Sequence, residues 1–190
     1  MTGKELAKLA EEFSMQPNFY ELGGWGQEMT RATLESLAER YPKNKPVNYN
    51  NVGKWGFDCI CWIKGMLAGV RPPDKHINSY TAFKTACPIG DCTNVEFKKM
   101  LYDCCEPASA PAGYGLASDT HAGLSLGDGR WIDCNREAGQ DGIKIHAGEP
   151  TWAERAGKIP GVDYDEQPLE EREILMRFVT KLVDDYLAGQ

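Results

Sequence analysis

The segment Asp119-Thr-His-Ala-Gly-Leu-Ser-Leu-Gly-Asp-Gly-Arg-Trp-Ile-Asp133 decides how the chain arranges its candidate chemistry. It reads as a β-hairpin with a histidine at its start and a carboxylate at its end. From His121 to Leu126 the residues alternate, with Ala122, Leu124 and Leu126 on one face and His121, Gly123 and Ser125 on the other. Gly127-Asp128-Gly129 supplies a turn, with Gly129 suited to a left-handed conformation. A loop of these three residues pairs Leu126 with Arg130, Gly123 with Asp133 and His121 with Asn135. Asp133 then lies diagonally across from His121 on the same face, within reach of the ring. A loop of Asp128-Gly129 alone would shift the register by one and turn Asp133 away.

A second segment supplies what a histidine and a carboxylate need. Gly56-Phe-Asp-Cys-Ile-Cys-Trp-Ile-Lys-Gly-Met-Leu67 reads as a mostly apolar helix capped by Asp58, with Cys59 in its first turn. A thiol there feels the positive end of the helix dipole, which favours the thiolate, and a nearby imidazolium adds to the effect. Cysteine, then histidine, then a carboxylate outlines a thiol hydrolase in which the third group orients the imidazole.

These residues resemble the NlpC/P60 family of cell-wall cysteine peptidases. The Asp-Cys helix of that family is matched by Asp58-Cys-Ile-Cys-Trp-Ile-Lys-Gly65, and its histidine hairpin by His121 through Gly129. The third polar position of the family falls on Asp133, where many members carry His, Asn or Gln, so an acid is a departure. An upstream tyrosine before a Gly-Gly pair is matched by Tyr20-Glu-Leu-Gly-Gly24. Thr2-Gly-Lys-Glu-Leu-Ala7 and Trp152-Ala-Glu-Arg-Ala-Gly-Lys-Ile-Pro-Gly-Val-Asp-Tyr164 look like the ends of phage-lysin-type members. The resemblance spans roughly residues 2 to 165. It implies Cys59 as nucleophile, His121 as base, Asp133 as orienting group, and Tyr20, Asp58 and Trp25 at the substrate. It implies no metal and no organic cofactor.

Composition sets limits. At 190 residues the chain can bury a sizeable core. A net charge of −7, with no basic run or stripe, argues against nucleic-acid binding. The same charge gives no attraction to an anionic cell wall, so targeting would fall to a separate module or partner. No apolar stretch approaches membrane-spanning length, and the N-terminus reads as an amphipathic helix rather than a signal peptide. A wall hydrolase of this kind would be made in the cytoplasm and leave by phage- or prophage-type release or non-classical export, unless a leader has been removed.

Seven cysteines (59, 61, 87, 92, 104, 105 and 134) fit one free nucleophile plus up to three disulfides, and equally a fully reduced chain. Cys87 and Cys92 could close a small disulfide loop or ligate a metal, but the close Cys-x-x-Cys pairs typical of four-cysteine zinc sites are missing.

The order of elements is helices first and strands later. Helices are expected over 3–14, about 28–41, 56–69 and within 94–105, and strands over about 114–118, 121–126, 130–135, 142–147 and 158–164. This gives an α+β domain over 1–166, for which the resemblance implies a papain-like fold of N-terminal helices and a central antiparallel sheet. Pro168 opens a last helix, and 167–190 is expected as a helical extension packed on the domain. Cys61 is read as a packing residue, His146 as a surface residue, and His76 as a solvated loop residue. Asn135 is the direct rival of Asp133. Trp25, Trp62, Trp131 and Trp152 are read as core or cleft-wall residues.

The expected function is hydrolysis of a stem-peptide amide of peptidoglycan, of the D-γ-glutamyl–diamino acid type. An N-acetylmuramoyl-L-alanine amidase or transacylase on the same scaffold is the first alternative, and a non-catalytic phage structural or wall-binding module the second. Oligomeric state is left open.

Overall fold

The computed structural model describes residues 1–71, 79–137 and 140–164. The expected C-terminal helix, the end of the 1–166 domain and His76 lie outside these residues. The architecture is α+β, with five α-helices and two sheets among the described residues.

The first half alternates helices with a small sheet. Helix α1 (Gly3–Ser14) opens with a capping box, in which Thr2 accepts from the Glu5 N–H while the Glu5 side chain accepts from the Thr2 N–H. It buries Leu6, Leu9, Ala10 and Phe13 at helical spacing. Strands β1 (Asn18–Tyr20) and β2 (Trp25–Glu28) follow, then α2 (Arg31–Arg40), capped by Thr30. Strand β3 (Trp55–Phe57) lies between β1 and β2, parallel to the first and antiparallel to the second. These three short strands were not expected from sequence, because three or four residues carry too little periodicity. They displace the start of the predicted 28–41 helix to Arg31 and the start of the predicted 56–69 helix to Cys61.

Helix α3 (Cys61–Ala68) is thus shorter than the reading from Gly56, and Cys59 precedes it rather than lying in its first turn. Asp58 still caps it: Oδ1 accepts from the Ile60 N–H at 3.1 Å and the Cys61 N–H at 2.7 Å. Helix α3 ends at Gly69 in a left-handed conformation. Helices α4 (Tyr80–Ala86) and α5 (Asn94–Met100) follow. The helix expected to run to Cys105 stops at Met100, and Tyr102–Cys105 forms strand β4 instead.

The second half is a six-stranded antiparallel sheet, completed by β5 (Gly115–Ala117), β6 (Ala122–Gly127), β7 (Arg130–Glu137), β8 (Gln140–Ala147) and β9 (Arg155–Lys158), in the order β4-β9-β5-β6-β7-β8. The last strand ends at Lys158, earlier than the expected 158–164. Ala122, Leu124 and Leu126 of β6 join Ile132 and Cys134 of β7 in the core shared with α1 and α3. The opposite face of the hairpin is also covered: Ser125 is buried and donates to the Ala110 carbonyl at 2.6 Å.

The β6–β7 turn differs from the expected loop in its closure but not in its register. Gly127 pairs with Arg130, leaving a two-residue Asp128-Gly129 turn with φ of 51° and 75°, the type I′ geometry. A bulge between Ser125 and Gly127 absorbs the extra residue, so Ser125 pairs with Trp131 and Gly123 with Asp133. The Gly127 N–H bonds Ser125 Oγ at 3.1 Å, closing the bulge.

Two glycines of this hairpin should respond differently to alanine. Gly129 has φ 75° and open space around it, so Gly129→Ala should cost about 1 kcal/mol through backbone conformation alone. At Gly123 an added methyl would meet the Ile132 carbonyl oxygen at 2.8 Å and the Trp152 ring at 3.2 Å, and Gly123→Ala should cost about 1–3 kcal/mol. Urea midpoints of the two variants check the order; an equal or smaller loss at Gly123 would show that the hairpin yields easily there.

Candidate active site

Cys59 is carried into position by backbone contacts to the peptide group that joins Phe57 to Asp58. The Asp58 N–H bonds the Gly24 carbonyl at 2.9 Å, and the Glu21 N–H bonds the Phe57 carbonyl at 2.7 Å. A Cβ at Gly24 would stand 2.6 Å from the Gly56 carbonyl oxygen, so the Gly23-Gly24 pair is what allows this approach. Asp58 Oδ2 also accepts from the Gly23 N–H at 3.2 Å. Burial pushes the Asp58 carboxyl up, against the pull of the N–H groups of Cys61 and Ile60 and of Lys64. Asp58 therefore fastens the loop to the helix while lining the cavity beside Cys59.

His121 comes from the mouth of the hairpin. Its Nε2 lies 2.6 Å from Asp133 Oδ2, which leaves Nδ1 as the nitrogen available to Cys59. Burial lowers the pKa of His121, but hydrogen bonds to Asp133 and Cys59, with the charges of both, outweigh it and raise the value to about 9. His121 thus interacts with both Asp133 and Cys59. Asn135 is turned to its own neighbour, accepting from the Arg136 N–H at 2.7 Å. The ring of Trp152 meets His121 edge-on at 4.5 Å.

Two residues at this site were not singled out from sequence. Asn94, the first residue of α5, places Nδ2 3.3 Å from Cys59 Sγ. Its loop is held by Lys64, a side chain only 2 % exposed that binds Asp91 Oδ1 at 2.9 Å and the Cys92 carbonyl at 3.3 Å. Sequence gives little hint of this, since 35 residues separate Asn94 from Cys59. The second is His146, expected at the surface. Its Nε2 lies 2.9 Å from Asp133 Oδ1, and its ring stacks on Trp131 at 4.1 Å. The signal for it was available: extending the strand pairing puts His146 opposite Trp131, two residues from Asp133 and on the same face.

A cavity of about 390 Å³ opens beside Cys59 on the side formed by Gly23, Trp25, Asp58, Tyr80, Asp91 and Asn94. Trp25 and Asp58 line it. Tyr20 does not; it is half-buried under Arg136, whose guanidinium stands 5.5 Å from its ring centre. Burial, then the charges of Cys59 and Asp58, push its hydroxyl pKa up.

All seven cysteines are free thiols, so Cys87 and Cys92 form no disulfide. Among the described residues no three Cys, His, Asp or Glu side chains converge as a metal site, and no helix is long and apolar enough to cross a membrane. No protein-family model, no curated protein and no solved structure matches the chain.

The arrangement has a pH signature. The folded-state pKa of His121 lies above its usual value of about 6.5. Its contribution to stability is therefore fully present below about pH 6.5 and is lost as pH rises through about 9. The stability difference between wild type and His121→Phe should be larger near pH 6 than near pH 10, as read from urea midpoints. A difference that grows with pH would contradict the Asp133–His121–Cys59 coupling.

Proposed function

We propose that the protein is a thiol-dependent peptidoglycan hydrolase with a papain-like arrangement of the NlpC/P60 type, cleaving a D-γ-glutamyl–diamino acid amide of the stem peptide. The observation that carries the reading is the meeting of Cys59, from the loop before α3, with His121 and Asp133 of a hairpin about sixty residues further along the chain. The resemblance of the Asp58-Cys59 segment and the His121–Gly129 hairpin to that family narrows the bond to a wall amide. The acidic third residue serves the purpose of an orienting group as well as an amide would.

Each step has a residue suited to it. Cys59 Sγ attacks the carbonyl carbon as its proton passes to His121, forming the C–S bond while the carbonyl π electrons move onto oxygen. The Cys59 N–H has no acceptor among the described residues, and Asn94 Nδ2 lies beside Sγ. Both are placed to donate to the oxyanion. Collapse breaks the C–N bond, and His121 gives its proton to the leaving amine. Water, deprotonated by His121, then adds to the thioester carbonyl; collapse breaks the C–S bond, releases the acid and returns the proton from His121 to Cys59. The leaving amine must lie toward His121, so the cavity on the far side of Cys59 suits the acyl portion of the substrate. Asp133 balances the imidazolium whenever His121 holds the proton. With a net charge of −7 the protein gains nothing from an anionic wall, so delivery relies on a separate targeting module or partner.

Digestion of defined muropeptides, with products read by mass spectrometry, tests the bond. Free diamino-acid amines released by wild type and not by Cys59→Ala are expected, with Cys61→Ala retaining activity. Free lactyl carboxylates on muramic acid would indicate an amidase instead, and activity surviving in Cys59→Ala would remove the thiol mechanism. Asn94→Ala should lower kcat about 100-fold, the usual effect of losing one oxyanion donor. An unchanged kcat would leave the oxyanion to the backbone alone.

A further inference from the structure

We propose that His146 is a positioning residue of the same site, acting on His121 through the carboxylate they share. The proposal rests on the thiol-hydrolase reading and adds a fourth residue to it. Asp133 is 2 % exposed and is held between two imidazoles, His121 on Oδ2 at 2.6 Å and His146 on Oδ1 at 2.9 Å. A carboxylate with one partner turns easily, because its terminal torsion has a broad minimum. A second donor on the other oxygen fixes the carboxylate plane and aims the Oδ2 lone pair at His121 Nε2.

His146 is itself fixed. Trp131, its partner across β7 and β8, lies flat on the ring with an interplanar angle of 16°. Trp131 meets Trp152 at 5.8 Å, and Trp152 meets His121 at 4.5 Å. Two indoles thus flank the imidazoles on either side of the buried carboxylate. They limit water near a hydrogen bond that weakens when solvated. His146 Nε2 stands at Oδ1 and His121 Nε2 at Oδ2, so His146 can hold the carboxylate without taking part in proton transfer. His146 contributes orientation, and His121 alone exchanges protons with Cys59 and the leaving amine.

The test separates the donor from the ring. His146→Phe keeps an aromatic face for Trp131 and loses the N–H; His146→Gln keeps an N–H donor of similar reach. His146→Phe should lower kcat about 10-fold with KM within about 2-fold of wild type, a loss typical of removing an outer orienting partner. His146→Gln should recover most of that loss. The rate of Cys59 alkylation by iodoacetamide, which needs no peptidoglycan, should fall with kcat in His146→Phe and recover in His146→Gln. Wild type itself supplies a measurement independent of variant folding. Its proton NMR spectrum should contain two downfield, exchange-protected imidazole N–H resonances, assigned by selective labelling to His121 and His146. Wild-type kcat and alkylation rate in His146→Phe, or equal losses in the Phe and Gln variants, would overturn the proposal. So would a single protected imidazole N–H belonging to His121. If alkylation is also indifferent to His121→Ala, the thiol reading fails and this proposal with it. If alkylation depends on both histidines while no muropeptide is cleaved, the positioning role stands and only the substrate is wrong.

Discussion

The β6–β7 hairpin carries one residue more on β6 than on β7, and the side chains of the site follow from where that residue is absorbed. The bulge at Leu126-Gly127 takes it up immediately beside the turn, so the rest of the ladder runs in the register that sets Asp133 across from Gly123. A slip of one residue would reverse both faces of β7. Ile132 and Cys134, both fully buried against α1 and α3, would leave the core, and Asp133 would enter it. An unpaired carboxylate in that apolar layer costs several kcal/mol. The register is therefore specified from both sides, and the functional face is a by-product of apolar packing on the other. Ser125 completes the constraint by bonding the Gly127 N–H and the Ala110 carbonyl, which satisfies the backbone where the ladder is interrupted.

Three carboxylates lie in or near the candidate site, and the fold compensates each in a different way. Asp58 takes backbone N–H groups from Gly23, Ile60 and Cys61. Asp91 takes Lys64, Tyr80 and Lys84; although burial raises its pKa, these partners bring it down to about 2. Asp133 takes two histidines. Backbone amides cannot give up their protons, and the lysines keep theirs at neutral pH. Among the partners of these carboxylates, His121 is the one that also contacts Cys59. The distinction separates carboxylates that build the site from the one suited to take part in its chemistry.

The legible part of the sequence was the part with periodicity. The α1 helix carries its capping box and its apolar stripe within its own residues, and the β6 alternation gave both the strand and its faces. Asp133 could be placed from His121 because both lie on one hairpin, where pairing is local. The small sheet was not legible: Asn18–Tyr20, Trp25–Glu28 and Trp55–Phe57 are too short for a period-two signal and are held by one another across many residues. That omission explains the misplaced start of α3, since Gly56 and Phe57 of β3 fall within the expected 56–69 helix. Asn94 was hidden for a related reason. Its approach to Cys59 depends on the Lys64–Asp91 pair, a tertiary contact that no local pattern encodes. His146 is within reach of strand-pairing logic, but no motif includes it.

The same neighbourhood gives two thiols two residues apart opposite surroundings. Cys61 begins α3 with its side chain in the core, where burial and then the charge of Asp58 hold its pKa well above the usual thiol value. Cys134 is pushed up the same way, and Cys92 reaches about 11, again first through burial. Cys59 instead lies outside that core cluster, against His121 and the Asn94 amide, although Cys59 and Cys61 both border the cavity. Asp58 stands between the two thiols with its carboxylate bound to the N–H groups of Ile60 and Cys61. It thereby directs its negative charge toward Cys61, while the positive charge of His121 is directed at Cys59. A helix that began at Gly56 would have placed both thiols on its own surface, with only the angle around the axis to tell them apart. By beginning at Cys61, the helix leaves Cys59 in a loop whose course is set by β3 and Gly24. Selectivity among the cysteines then comes from the short strands that the sequence pattern concealed.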